Sequence, residues 1–268
     1  MSVQTLYTAA TGMRSLETKL DVIANNLANV ETTAFKRGRA NFEDLFYRHE
    51  KFPGAEDSAG QYTPTGISVG LGSRVSSVQT EFRQGSFQQT GRELDVAIEG
   101  PGFFQVVEPG TGEIVYTRAG DLSINANGEL VMGSASTGRL LEPPIIIPQD
   151  ATAISISPQG LVSVRQPNST QLAQVGEMEL VTFINPEGLL KLGEDLYAET
   201  DASGTPTPGT PGQEGVGVLR QTMLEASNVE PVNELIDLIT TQRAFELNSQ
   251  AIQAGDQIMQ LVANLRRM

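Results

Sequence analysis

Glu177 and Glu179 stand two residues apart in the stretch Met178–Ile184, which reads as a strand. On a strand both would point to one face, as a glycosidase acid/base pair requires. Close carboxylates are common in any acidic chain, however, and nothing else in the sequence supports that chemistry. His49 is the only histidine, which excludes multi-histidine metal sites, and it lies in a polar stretch expected to be exposed. The absence of cysteine excludes disulfides, thiol nucleophiles and Cys-ligated metals. Asp121 and Asn125 near Asn127-Gly128 lack the regular carboxylate spacing and closing glutamate of a calcium loop, so a hairpin turn is the better reading. Gly100-Pro101-Gly102-Phe103-Phe104 lacks the third glycine and the following helix of a dinucleotide site. Lys36-Arg37-Gly38-Arg39 is a small basic cluster beside Glu43, Asp44 and Glu50, which reads as a solvated face. No metal, cofactor or catalytic set is expected. The chain is expected to work by assembling.

Charge agrees with that reading. The 268 residues carry 18 Lys+Arg against 32 Asp+Glu, a formal net charge of −14. Neither nucleic acid nor an anionic lipid surface attracts such a chain. No run approaches the roughly 18 apolar residues of a spanning helix, so no membrane insertion is expected, and the N-terminal stretch does not read as a cleavable signal.

Glycine and proline divide the chain into three parts. All 14 prolines lie between Pro53 and Pro231, and only Gly12 and Gly255 of the 27 glycines fall outside Gly38–Gly217. Both ends are therefore expected to be helical, and the middle to be β structure. Near the N-terminus, Leu6, Ala9, Met13, Leu16, Leu20, Ile23, Leu27 and Val30 step alternately by three and four, an uninterrupted heptad seam. A helix over 3–30 would be about 40 Å long. Near the C-terminus, Leu238, Phe245, Ile252 and Met259 recur every seven residues, flanked by Leu235, Ile239, Leu247, Val262 and Leu265. The alternate sites there are polar, namely Gln242, Ser249 and Asp256. Ser227–Glu230 has capping-box spacing, while Pro231 suits the first helical position better. The fold class expected is mixed. Its N- and C-terminal α-helices pair as a coiled-coil-like core domain (1–35 and 225–268), and its middle domain (76–224) is mainly antiparallel β. Residues 36–75 form an extended linker between them, within which Gly54–Gly72 is rich in Gly, Ser and Thr. Asp201–Gly217, with five glycines and three prolines, is expected to be a flexible loop. Leu122–Asn125 with Leu130–Met132, and Ile154–Ile156 with Leu161–Val164, read as hairpins.

Residues 24–37 read Ala-Asn-Asn-Leu-Ala-Asn-Val-Glu-Thr-Thr-Ala-Phe-Lys-Arg. This resembles the N-terminal signature of bacterial flagellar rod and hook proteins, carried here by Asn25, Asn26, Asn29, Thr32, Thr33, Phe35 and Lys36. One residue departs from the pattern. Ala34 stands where the family commonly has Gly, which argues against a positive-φ turn at that position. The likeness continues through Leu94–Phe104, Tyr116–Asp121, Leu224–Val229 (with Ser227 and Asn228) and Thr241–Glu246 (with Gln242 and Arg243). Within the family, the extension from about Tyr47 to Val75 resembles the segment that accompanies a straight distal rod, and residues 36–75 would stiffen that rod. A long proximal rod subunit or a hook subunit is the alternative within the family. Outside it, the remaining alternatives are a secreted β-rich enzyme and a soluble binding module or adhesin. Phe42-Glu43-Asp44-Leu45-Phe46 resembles the Phe-x-x-x-hydrophobic element, Phe42 and Phe46 here, that engages the type III export gate.

The resemblance implies a self-assembling subunit of a hollow helical tube that carries motor torque and passes export substrates. The partners it implies are copies of the chain itself, proximal rod and hook subunits, the surrounding P- and L-ring proteins, and the type III export apparatus. It places the rod across the periplasm, with export that needs no cleaved signal. The two apolar seams cannot bury themselves well alone, so the helices are expected to order on assembly.

Overall fold

The computed structural model describes residues 3–54, 56, 62, 64–133, 138–167, 171–213 and 215–265. The chain divides into two compact units: Met1–Ala28, Gly38–Thr80 and Glu230–Met268 in the first, and Asn29–Arg37 and Glu81–Val229 in the second.

The first unit holds both long helices, α1 (Val3–Ala28) and α2 (Pro231–Leu265), and four strands: β1 (Gly38–Asp44), β2 (Tyr47–Lys51), β3 (Ile67–Gly70) and β4 (Ser73–Thr80). β1 pairs antiparallel with β4, from Gly38 opposite Thr80 to Asp44 opposite Ser73, with a bulge at Asn41/Phe42. β2 pairs with β3. Between the two pairs the amide of Leu45 donates to Gly72 O at 2.8 Å, and that of Leu71 donates to Phe46 O at 3.1 Å. The four strands therefore run on as one two-stranded ribbon. Part of Gly54–Gly72, read as extended, lies outside the described residues. α1 packs against α2 and against β1 and β4. At Gly72 (φ 124°) a Cβ would sit 2.1 Å from Thr11 Oγ1 of α1, so only glycine permits this approach. α2 begins at Pro231, whose fixed φ suits the first helical position.

The expected coiled-coil-like pairing of the helices is not what the structure contains. Of the seam on α1 only Ile23 is buried; Leu6, Ala9, Met13, Leu16, Leu20 and Leu27 are half-buried, and Val30 lies beyond the helix end. The other deeply buried positions on α1 are polar, Ser15 and Asn26, and those on α2 are Glu234, Thr241 and Gly255. Interlocked coiled-coil helices bury apolar side chains along one seam. Here α1 is covered from two directions, by a ribbon and by a helix, and burial spreads over a wide arc. On α2, Leu238, Ile252 and Met259 are half-buried and Phe245 is 36% exposed; the side chains of Val262 and Leu265 lie outside the described residues.

The second unit is β structure. A seven-stranded antiparallel sheet runs in the order Leu190–Gly193, Leu196–Ala198, Ile114–Thr117, Phe104–Val107, Gly138–Glu142, Leu130–Gly133, Leu122–Ile124. A three-stranded sheet joins Ala153–Ile156, Leu161–Arg165 and Leu172–Glu177, and shorter pairs complete the unit. Both expected hairpins form. In the first, Asn125 Oδ1 accepts from the amides of Asn127 and Glu129, both at 2.9 Å, and Gly128 takes φ 85°. The side chain that had suggested calcium closes its own turn. The core is continuous: Val96, Ile98, Phe104, Val106, Leu122, Leu130, Val162, Val164, Met178 and Leu180 are fully buried. A second cluster stacks Phe82, Phe103, Tyr116, Phe183 and Tyr197 edge to face, with Tyr116 and Phe183 centroids 4.8 Å apart. Within Asp201–Gly217, Thr207–Gly209 forms a strand beside Leu180–Thr182, and Ser203 and Pro211 are buried.

Candidate functional site

The N-terminal signature divides between the two units, and in each an amide side chain stands in for backbone. In the first unit Asn26 is buried at the end of α1. Its Oδ1 accepts from the amide of Gly38 at 2.9 Å, while its Nδ2 donates to Gly38 O at 2.9 Å and to Glu234 Oε2 at 3.4 Å. One side chain thus ties α1, the first residue of β1 and the first turn of α2. Any residue but asparagine loses the paired donor and acceptor at that spacing.

In the second unit, Asn228 Oδ1 accepts from the amide of Arg37 at 2.8 Å, and its Nδ2 donates to Glu81 O at 2.8 Å and Arg83 O at 3.0 Å. Beside it Lys36 is wholly buried. Its Nζ lies 2.5 Å from Glu225 Oε1 and donates to Arg83 O at 3.0 Å. Glu225 Oε2 meets Arg118 Nε at 3.0 Å, and Glu225 Oε1 also accepts from the amide of Gly85 at 2.8 Å. The Arg118 guanidinium also donates to the carbonyls of Ile98, Gly100 and Gly102. Burial, then the nearby Arg118 charge, lower the Lys36 ammonium to about 8, while Glu225 pulls the other way. Two cations sharing one carboxylate, each also donating to backbone carbonyls, form a structural node.

Ala34 does adopt the left-handed conformation that its side chain argued against, with φ 57°, and it is buried. Its amide donates to Glu225 O at 2.7 Å. The tight exit from the helix is imposed by the node around it, which overrides the backbone preference of alanine. Phe35 is buried under Lys191, whose Nζ sits 5.1 Å from the ring centroid and donates to Lys36 O at 3.0 Å.

The remaining signature residues are dispersed. Thr32 Oγ1 donates to Asn29 Oδ1 at 3.2 Å, Thr33 is half-buried, and Asn25 is exposed. Ser227 Oγ accepts from the amide of Val229, and Gln242 and Arg243 lie on the outer side of α2, where Arg243 pairs with Glu246 at 3.2 Å. Phe42, in β1, is 41% exposed, and Phe46 is 88% exposed. Glu177 and Glu179 are both exposed, and His49 stacks on Phe52 at 5.1 Å. Among the described residues no group of three acids or histidines is placed to hold a metal ion. Sequence reasoning missed Glu225, Arg118 and Glu234 as buried partners. The only signal was that each sits inside an otherwise apolar or signature stretch.

α2 also presents a second apolar stripe to solvent. Val232, Leu235, Ile236, Ile239, Leu247 and Leu261 are each 45% exposed or more. An apolar face of this length is unusual on a self-sufficient monomer.

Three family descriptions match the chain: "Flagella basal body rod protein" over residues 6–36, "Flagellar hook protein FlgE/F/G D1 domain" over 97–164, and "Flagellar basal body rod FlgEFG protein C-terminal" over 220–265. The chain is similar to the flagellar basal-body rod protein FlgG of Caulobacter vibrioides, 43% identical over 98% of this chain and 100% of that protein. It is also similar to FlgG of Borreliella burgdorferi (42% identical, 99% of each chain) and of Bacillus subtilis (38% identical over 99% of this chain and 100% of that protein). The matched segments include the Asn26 and Lys36 anchor points and the helix with the uncovered stripe, and the chain belongs to the flagellar basal-body rod protein family.

Proposed function

We infer that the chain is a structural subunit of the flagellar distal rod, and that it polymerises into a straight, hollow helical tube. The tube carries motor torque from basal body to hook and passes export substrates along its lumen. The chain acts by assembling, with no turnover. The observation that carries this reading is the uncovered apolar stripe of α2, on a helix whose opposite side is already packed. A contact surface of that kind, repeated without closing, generates a filament. Assembly then buries the half-covered seam and the stripe together, and this offsets the entropy of ordering the helices.

The same reading supplies the neighbours: proximal rod and hook subunits at the two ends of the polymer, and P- and L-ring proteins around it in the periplasm. Phe42 and Phe46, aromatic and accessible, suit engagement of the type III export apparatus before folding. The absence of cysteine suits passage into an oxidising compartment.

Amide hydrogen exchange on dilute monomer and on polymer tests the mechanism. Residues 3–28 and 231–265 are expected to exchange freely in the monomer and to be protected in the polymer, with the strands of 96–182 protected in both. Equal protection of the helices in the two states overturns coupled assembly.

A further inference from the structure

Helix α1 carries four charged side chains, Arg14, Glu17, Lys19 and Asp21, and none of them makes an ion pair among the described residues. Three of these charges share one face. Ala10, Arg14, Glu17, Asp21, Ala24 and Ala28 step alternately by four and three, and every one is exposed. This row lies one residue along from the half-buried seam and points away from it. Arg14 stands beside an open groove of about 410 Å³ between α1 and the β1–β4 ribbon, lined by the hydroxyls of Thr11, Ser15, Thr18 and Ser73, by Arg74, and on its apolar side by Tyr7, Leu45 and Val75. Arg74 is already paired with Glu43, and no carboxylate among the described residues lines the groove itself. With Arg14 and four hydroxyls along one side, the groove is a place for a carboxylate in a chain of net charge −14.

We propose that this face is a contact between copies of the chain, in which Arg14 of one copy receives Glu17 and Asp21 from α1 of the next. The inference rests on the rod reading and names residues that set the register of its polymer. Charge complementarity selects the occupant, because Glu17 and Asp21, one and two turns beyond Arg14, are themselves without an ion pair among the described residues. The alanines at 10, 24 and 28 let two helices approach closely enough to bring the charges together. Each copy gives its acids to one neighbour and its arginine to another. The contact is therefore heterologous, and where its rotation does not close it propagates into a filament. Ion pairs of this kind fix register more than they add affinity.

The test is a charge exchange on the full chain, read by sedimentation. Arg14→Glu alone, and Glu17→Arg with Asp21→Arg in a second variant, are each expected to raise the critical concentration for polymer roughly tenfold. Mixing the two variants restores polymer near the unaltered critical concentration, because every contact in an alternating copolymer again joins opposite charges. Protected amides in the strands of 96–132 show that both variants fold. Either variant polymerising alone like the unaltered chain overturns the pairing, as does a folded mixture that stays soluble. An unaltered chain that stays monomeric at every concentration overturns the rod reading itself, and the pairing falls with it.

Discussion

The two units bury opposite kinds of residue. In the β unit eleven apolar side chains have zero exposure, and three of its buried charges, Lys36, Arg118 and Glu225, pair with one another. In the helical unit the deepest positions are largely polar or small, and the largest exposed apolar side chains lie along α2 and the ribbon. The first pattern is that of a body that folds by itself. The second is that of a surface whose core is completed by other molecules, and the difference locates stability in one unit and assembly in the other.

The largest effect that tests this division is on the polymer. Leu16→Asp or Ile252→Asp should abolish sedimentable polymer. Leu247→Asp should do the same with no loss of monomer stability, since that side chain is 65% exposed. Thermal unfolding of the β unit should be unchanged in all three. A variant that still builds polymer removes its residue from the contact, and loss of the β unit's transition would mean that the two units fold as one.

In the β unit the largest effect is expected at the buried node. Glu225→Gln leaves two buried cations without their counter-charge and should cost about 3–5 kcal/mol of stability, measured by urea unfolding. Adding Lys36→Met to that variant should recover part of the loss, because one uncompensated charge is removed. If the double variant is no more stable than the single one, the loss is not due to the orphaned Lys36 charge.

That node also marks where the sequence ceased to be legible. Helices at both ends and hairpins around Gly128 and Gly160 follow from local rules: periodicity, the confinement of glycine and proline to the middle, and turns that need positive φ. Lys36 and Glu225 are 189 residues apart, and no local pattern couples them. The Lys36–Arg39 cluster read as a solvated face for that reason, although its first residue is fully buried. The heptads identified which residues of the helices are apolar. They did not identify what covers them, and a ribbon flanking α1 replaces the coiled-coil geometry that periodicity alone suggested.

Ala34 tests how firmly the node holds the chain. A left-handed non-glycine residue costs about 1–2 kcal/mol, and glycine would relieve this. The relief is offset by a lost buried methyl, about 0.8 kcal/mol, and by the greater entropy of glycine when unfolded. Ala34→Gly should therefore change stability by less than about 0.5 kcal/mol. Ala34→Val adds a β-branched side chain at the same φ in a buried position and should cost about 2–4 kcal/mol. Equal effects from the two substitutions would mean that backbone strain at residue 34 does not limit stability.

The smallest effect is one of pH, and it too belongs to the β unit. Burial raises the Asp195 carboxyl to about 6, against the pull of Lys191 and with a further push from Asp121. The unfolded carboxyl titrates near pH 4, so between about pH 4 and 6 the folded state holds a proton that the unfolded state has lost. The stability from this group is fully present below about pH 4 and is lost as pH rises through 6. Asp195→Asn removes the titration. Its stability relative to the unaltered chain should therefore improve steadily from pH 4 to 6 and then level off, as read from urea midpoints. Asp121, which burial also raises, interacts with Asp195, so part of the slope in the difference belongs to that pair. A difference that stays constant across that window would show that Asp195 is solvated in the folded chain, and that the β unit is less closed around its charges than its core implies.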